Sequence, residues 1–192
     1  MKVVAFNGSP RKDGNTAILI RHVFEELEKE GIETELVQLA GKPLSGCLGC
    51  YKCWQNRDQR CTQTGDDMND YIARMVKADG IILGSPTYYA DITTLTKALM
   101  ERAGFVAKAN GNLLKRKVGA AVISVRRGGQ IHAFDSINHF FHISQMIIPG
   151  AAYWNFALGI DPPEVENDQE GIRTMHSLGR NMAWLLKRIG SP

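Results

Sequence analysis

The chain has 192 residues, 44% of them hydrophobic and 22% charged, with a formal net charge of +3. That length suits one domain with a full core, and the composition is that of a globular protein rather than a disordered one. The charge is too mild and too scattered for a nucleic-acid binder, and Lys115-Arg116-Lys117 reads as a solvated turn. No signal peptide and no membrane-length apolar run is visible, so a cytoplasmic protein is expected.

The elements alternate. Val3 to Phe6 is an apolar strand that stops at the turn formers Asn7-Gly8-Ser9-Pro10. Ile20, Val23, Phe24 and Leu27 mark an amphipathic helix over residues 15–30, ended by Gly31. Glu33 to Leu39 alternates polar and apolar as a second strand. An irregular stretch follows over 40–65, then a helix around Met68 to Val76, capped by Asp66-Asp67. Gly80 to Leu83 is a strand ending in Gly84-Ser85-Pro86, and Thr94 to Phe105 is helical. Val118 to Val125 is a strand, 131–144 a helix, and Met146 to Ile148 the expected fifth strand. A long loop leads to a last helix marked by Met175 to Ile189.

This order predicts an α/β fold: a flavodoxin-like, doubly wound, five-stranded parallel sheet of order 2-1-3-4-5, in a single domain over 1–192 with a cysteine-rich insertion at about 43–65. Ligands of such sheets bind beyond the carboxyl ends of the strands. Three polar, Gly-rich loops lie there: Asn7 to Thr16, Ser85 to Asp91 and Arg126 to Gln130. The first offers helix N–H groups, the side chains of Ser9, Asn15 and Thr16, and the charge of Arg11, a set that suits a phosphate. Its bland alternative is a turn with one surface Arg. Neither the P-loop nor the Gly-x-Gly-x-x-Gly pattern is present, which leaves a mononucleotide.

All four cysteines fall in GCLGCYKCWQNRDQRC, at Cys47, Cys50, Cys53 and Cys61, spaced C-x2-C-x2-C-x7-C. Four arrangements stay open. An iron–sulfur cluster fits best, because three close cysteines and a more distant fourth can wrap a cuboidal centre. Zinc sites usually present two separated knuckles, disulfides are disfavoured in a reducing compartment, and unligated thiols are the plain alternative. His132, His139 and His142 share a predicted helix but have no evident third ligand, and the methionines read as core.

The segments GSPRKDGNT, GSPTYYADIT and RRGGQ, together with the cysteine run, resemble the NADPH-dependent FMN reductase family, and within it the iron–sulfur flavoproteins. The resemblance implies that Ser9, Arg11, Asn15 and Thr16 hold the phosphate of FMN. It implies that Pro86, Thr87, Tyr88 and Tyr89 lie along the isoalloxazine edge, and that Arg126, Arg127, Gly128 and Gly129 face the pyrimidine side or ribityl chain. Cys47, Cys50, Cys53 and Cys61 would ligate a 4Fe–4S cluster, and the protein would be a homodimer or homotetramer. No catalytic side chain is named, since the flavin carries the chemistry. Three functions remain: an electron-transfer oxidoreductase passing electrons between cluster and FMN, an NAD(P)H-dependent reductase without a cluster, and a zinc-stabilised binding module. The donor is either NAD(P)H or a ferredoxin-like protein.

Overall fold

The computed structural model describes residues 1–41 and 43–190. Its elements are β1 (Lys2–Asn7), α1 (Asn15–Lys29), β2 (Glu33–Gln38), α2 (Lys52–Asn56), α3 (Met68–Lys77), β3 (Gly80–Pro86), α4 (Thr94–Ala109), β4 (Val118–Val125), α5 (Gln130–Ile143), β5 (Phe156–Leu158) and α6 (Gln169–Ile189), with a 3₁₀ turn at Glu164–Asn167. The sheet is parallel throughout, in the order β2-β1-β3-β4-β5.

The central strands read as continuous apolar runs because both faces are covered. Val3 and Ala5 of β1, Ile82 of β3, and Val118, Ala120 and Val122 of β4 pack under α1 and α6. Their neighbours Val4, Phe6, Ile81, Leu83, Ala121 and Ile123 pack under α3, α4 and α5. This is the period-two alternation of a strand, with apolar residues on both phases. Gly84 lets the start of α1 lie against β3: a Cβ there would sit 2.6 Å from Ile20 Cδ1 and 2.9 Å from Thr16 Cγ2.

The fifth strand departs from the sequence expectation. Residues 146–148 contribute a single bridge, in which Ile147 exchanges backbone hydrogen bonds with Lys117 and Gly119 at the start of β4. Pro149 and Gly150 then end the pairing, as a residue without an N–H and one with no side chain to pack would. The edge resumes at Phe156–Leu158, which pairs with Ile123–Val125 at the other end of β4. The edge strand is thus delivered in two pieces, and the second lies at the carboxyl end of the sheet. The last helix also starts earlier than its apolar periodicity suggests, at Gln169, where the Asp168 carboxylate accepts from the Gly171 N–H at 3.0 Å.

Candidate functional site

Two constellations stand out, one at the carboxyl ends of the strands and one on α4. The first begins with the loop between β1 and α1. The Asn7 side chain shapes it from below: its amide donates to Gln38 Oε1 (2.7 Å) and the Lys12 carbonyl (3.3 Å), and its oxygen accepts from the Ser9 N–H (3.1 Å). Gln38 in turn donates to the Ser9 carbonyl at 2.6 Å. The Ser9 hydroxyl accepts from the Arg11 N–H at 3.1 Å, which leaves its own proton to give elsewhere. Gly14, the N-cap of α1, supplies no side-chain cap, and the first turn carries no acidic residue. The N–H groups of that turn therefore still want an acceptor.

Ser9, Arg11, Asn15, Thr16, Pro86, Thr87, Tyr88 and Arg126, all expected from the sequence, line one cleft of about 200 Å³ together with Ser124, Val125, Gly159 and Ile160. No carboxylate is among these lining residues, and two arginines are. Thr16 and Ser124 share a hydroxyl–hydroxyl bond of 2.8 Å across the cleft floor. Two buried polar atoms of this lining, Asn15 Oδ1 and Thr87 Oγ1, have no hydrogen-bond partner among the described residues. Buried polar atoms are rarely left so, and the cleft is built for a polar ligand. The Asn15 amide is held by one long bond to the Ile160 carbonyl (3.5 Å), so it can turn to present its nitrogen.

Tyr89, Arg127, Gly128 and Gly129 lie outside the cleft lining. Tyr88 and Asp91 exchange two backbone bonds (2.8 and 2.9 Å) around Tyr89 and Ala90, which both have positive φ (48° and 63°). This is the geometry of a type I′ turn, normally made with Gly or Asn, and it leaves the Tyr89 ring fully in solvent. Gly129 (φ +87°) brings the 126–130 loop against this turn: a Cβ there would meet Ala90 Cα at 2.6 Å. The strained turn and the glycine-rich loop form one rim.

The second constellation gathers all four cysteines. Cys47, Cys50, Cys53 and Cys61 line a single concavity with Thr62, Gln63, Arg102 and Phe105. None of the four is joined in a disulfide. The segment that carries them is wound by left-handed residues, Gly49, Tyr51, Arg57 and Gln59, with α2 as a single short helix between two of them. Cys50 Sγ lies 3.8 Å from the Thr62 hydroxyl, which links the two ends of the run. The Lys52 N–H and then the Thr62 hydroxyl hold the Cys50 thiol below its usual range. Burial pushes Cys53 up, and the Cys47 and Cys61 sulfurs beside it add to that. The Tyr51 ring packs edge-on against Phe105 of α4, at 5.9 Å between centroids.

The sequence did not single out the residue that holds this segment. Arg102 of α4 is fully buried and donates to Cys61 Sγ (3.4 Å), to the carbonyls of Ser45 (3.2 Å) and Gln63 (3.1 Å), and to Asp66. Asp66 also accepts from the Met68 N–H (3.2 Å) at the start of α3, from the position just before the N-cap residue Asp67. Its stronger role is as counter-charge to Arg102. Burial is the largest influence and raises the Asp66 pKa, but the hydrogen bond and charge of Arg102, with the Met68 and Ser45 backbone groups, together outweigh it and hold the carboxyl below its ordinary value. The available signal was an Arg inside the apolar face of a helix, between Leu99, Ala103 and Val106.

The fold and the first constellation define a flavodoxin-like FMN protein. Residues 1–161 match the NADPH-dependent FMN reductase family, and the chain belongs to it. It is 38% identical to an iron-sulfur flavoprotein of Methanocaldococcus jannaschii, over 98% of this chain and 99% of that protein. It is 34% identical to the iron-sulfur flavoprotein of Methanosarcina thermophila, over 98% and 97%. Among solved structures it superposes on RosB with a bound flavin-phosphate intermediate (TM-score 0.78, 17% identity, 99% of this chain and 80% of that one). It also superposes on an archaeal flavodoxin (TM-score 0.63, 15% identity, 97% and 99%). The structural likenesses bear on the fold, and the family on the chemistry: the chain is an FMN-dependent oxidoreductase.

Proposed function

We propose that this flavoprotein passes electrons between FMN in the strand-end cleft and a 4Fe–4S cluster held by Cys47, Cys50, Cys53 and Cys61. One observation carries the reading: four thiols from two ends of a sixteen-residue segment line one concavity, and a fully buried guanidinium donates to one of them. That N–H fixes the Cys61 sulfur on the wall of the concavity, facing the other three. Among the described residues no three of these sulfurs lie within 4.8 Å of one another. Tetrahedral zinc with Zn–S bonds of about 2.3 Å needs thiolates roughly 3.8 Å apart, whereas a cuboidal centre spaces them wider. The enclosed space is about 20 Å³, so loading a cluster moves the 47–53 wall outward. Leu48, Cys50 and Tyr51 are exposed there, and the wall is held to α4 by the Tyr51–Phe105 ring contact and the Cys47 N–H bond to Glu101.

In the cleft, the first-turn N–H groups of α1 and the side chains of Ser9, Arg11, Asn15 and Thr16 hold the phosphate of FMN. Pro86, Thr87, Tyr88 and Tyr89 border the ring, with Arg126, Arg127, Gly128 and Gly129 on the pyrimidine or ribityl side. FMN supplies two-electron and one-electron chemistry when bound, and the cluster supplies one-electron transfer. The chain's own part is placement and charge. Arg126 lines the cleft, so its cation offsets negative charge that builds on a reduced ring. The Thr87 hydroxyl, unpaired in the cleft wall, donates to a ring or ribityl oxygen. The donor is NAD(P)H or a ferredoxin-like protein, and the cluster favours the latter, because hydride transfer alone needs no one-electron centre. The unit is one domain with the cysteine segment at about 43–65 inserted in it, acting in the cytoplasm as a homodimer or homotetramer. Among the described residues no helix is long and apolar enough to cross a membrane.

The test is composition. Anaerobically purified protein should release FMN on heating and yield about four iron and four sulfide per chain. Zinc in place of iron that is lost in Cys50→Ser, or flavin with no metal on the cysteines, overturns the cluster and leaves a plain NAD(P)H-dependent reductase.

A further inference from the structure

On the α1/α6 side of the sheet, among the described residues, one group of three metal-ligating side chains meets within 4.8 Å: His22, Glu25 and His176. We propose that they bind a divalent transition ion, with Zn²⁺ as its type, at a structural site separate from the cysteines. His22 and Glu25 are one turn apart on α1, so both project from the same face. His176 reaches them from α6, its ring edge-on to that of His22 at 5.2 Å.

The hydrogen bonding already selects the ligand atom on His22. Its Nε2 lies 3.0 Å from the Glu166 carboxylate, in the 3₁₀ turn before α6. A proton shared there leaves Nδ1 with its lone pair free. Nδ1 is buried, has no hydrogen-bond partner among the described residues, and lies 3.7 Å from a Glu25 oxygen. This is the carboxylate–histidine–metal arrangement, with Glu166 behind the ligand. His176 differs: its Nδ1 lies 3.0 Å from a Glu26 oxygen as a charge contact without hydrogen-bond geometry, and that nitrogen too is buried. Two imidazoles and a carboxylate are a ligand set that zinc commonly takes, with a water in the fourth place. Bonds of about 2.0–2.2 Å require ligand atoms roughly 3.4 Å apart, so the three side chains need to draw in by about 1 Å. All three are at least partly open to solvent, so an ion can enter.

Such an ion would staple three elements. It joins α1 to α6 directly, and through Glu166 it fixes the 3₁₀ turn. That turn follows Gly159 and Ile160, which line the flavin cleft. The inference does not depend on what the cysteines hold.

The test is a zinc titration of the anaerobic holoprotein at about pH 7.5, followed by ¹H–¹⁵N spectra of the five histidine rings. The expected result is saturable shifts of His22 and His176 with about one equivalent, while His132, His139 and His142 stay in place. Bound zinc should fall by about one ion per chain in His22→Gln and in His176→Gln, and Glu166→Gln, behind the His22 ligand, should weaken binding roughly 10-fold. The same zinc should raise the unfolding temperature of the wild type and not of His22→Gln. Equal zinc in wild type and both histidine variants overturns the site, and so do shifts spread over all five rings. Zinc carried by the cysteines alone gives that equal stoichiometry and counts against it.

Discussion

The strand-end cleft and the cysteine segment are built on opposite principles, and each has an arginine that shows how. The cleft is an outcome of the sheet. Its walls are the ends of β1, β3 and β4, its floor is a hydroxyl pair between α1 and β4, and its Arg11 stands in solvent beside Asp161 at 3.2 Å. The cysteine segment has almost no regular structure, and its Arg102 is buried at the centre of four hydrogen-bond acceptors. Where backbone ladders position a site, a charge is free to serve the ligand. Where they do not, a charge must first hold the chain. Helix α4 touches both regions. Its capping Thr93 donates to the Gly8 carbonyl of the first loop at 2.8 Å, and Arg102 lies nine residues on, about 13 Å along the axis. Both regions therefore refer their position to one rigid element.

The largest expected effect breaks the buried pair. Asp66→Asn keeps the shape of the side chain and leaves the Arg102 guanidinium buried without its counter-charge. It should cost about 3–5 kcal/mol in denaturant unfolding and reduce iron content, while FMN affinity changes by less than about twofold. Parallel loss of both cofactors would show that the two regions are not independently held. The pair also sets an acid limit. The Asp66 pKa is lowered in the folded state, so its stabilisation is complete above the unfolded value near 4 and is lost as pH falls through the folded value. As pH falls below about 4 the wild type should therefore lose stability more steeply than Asp66→Asn.

The same contrast explains what the sequence made legible. The sheet order, four of the five strands and the three loops at the strand ends follow from period-two and period-3.6 patterns that end at turn formers, while the family resemblance implied the flavin residues, eight of the twelve of which line the cleft. Those patterns arise from burial on two faces, and they survive in the sequence of one chain. The fifth strand was misplaced because two apolar segments compete for one edge: Ile147 takes the start of β4, and Phe156–Leu158 takes its end. Gly159 and Ile160 entered the cleft unannounced for the same reason. Asn7 and Gln38 act through side-chain bonds to a loop carbonyl and N–H, which leave no periodic trace. Arg102 looked like any helical arginine, because its partners, from Ser45 to Asp66, lie tens of residues away.

The next effects sharpen the cleft side. Thr16→Val retains the branched shape against β3 but removes the hydroxyl that bonds to Ser124. Losing a hydrogen bond to a charged phosphate costs about 1.5–3 kcal/mol, so FMN should bind roughly 10- to 100-fold more weakly, with iron per chain unchanged. Unchanged affinity would put the phosphate elsewhere. Gly129→Ala should cost about 1–2 kcal/mol, from its positive φ and from the contact with Ala90. Because it displaces the Tyr88–Asp91 turn, the bound flavin's fluorescence or visible spectrum should shift. A spectrum identical to wild type would show that this rim does not border the ring.

The smallest effect belongs to Arg11, and its size separates the two arginines. The Arg11–Asp161 pair is more than half exposed on both sides, and such pairs contribute little to stability because water screens them and ordering two side chains opposes them. Arg11→Ala should therefore leave the unfolding midpoint of the flavin-free protein unchanged within error. Arg11 is nevertheless one of the two cations lining the cleft, so removing it should weaken FMN binding a few-fold, and more at low salt than at high salt. Asp161→Asn frees Arg11 from its competitor and should tighten FMN slightly. Opposite signs for these two variants, each fading as salt rises, would identify Arg11 as a charge that serves the ligand. Loss of stability in Arg11→Ala, comparable to that of Asp66→Asn, would mean that it holds the loop instead, and that the two regions are built alike.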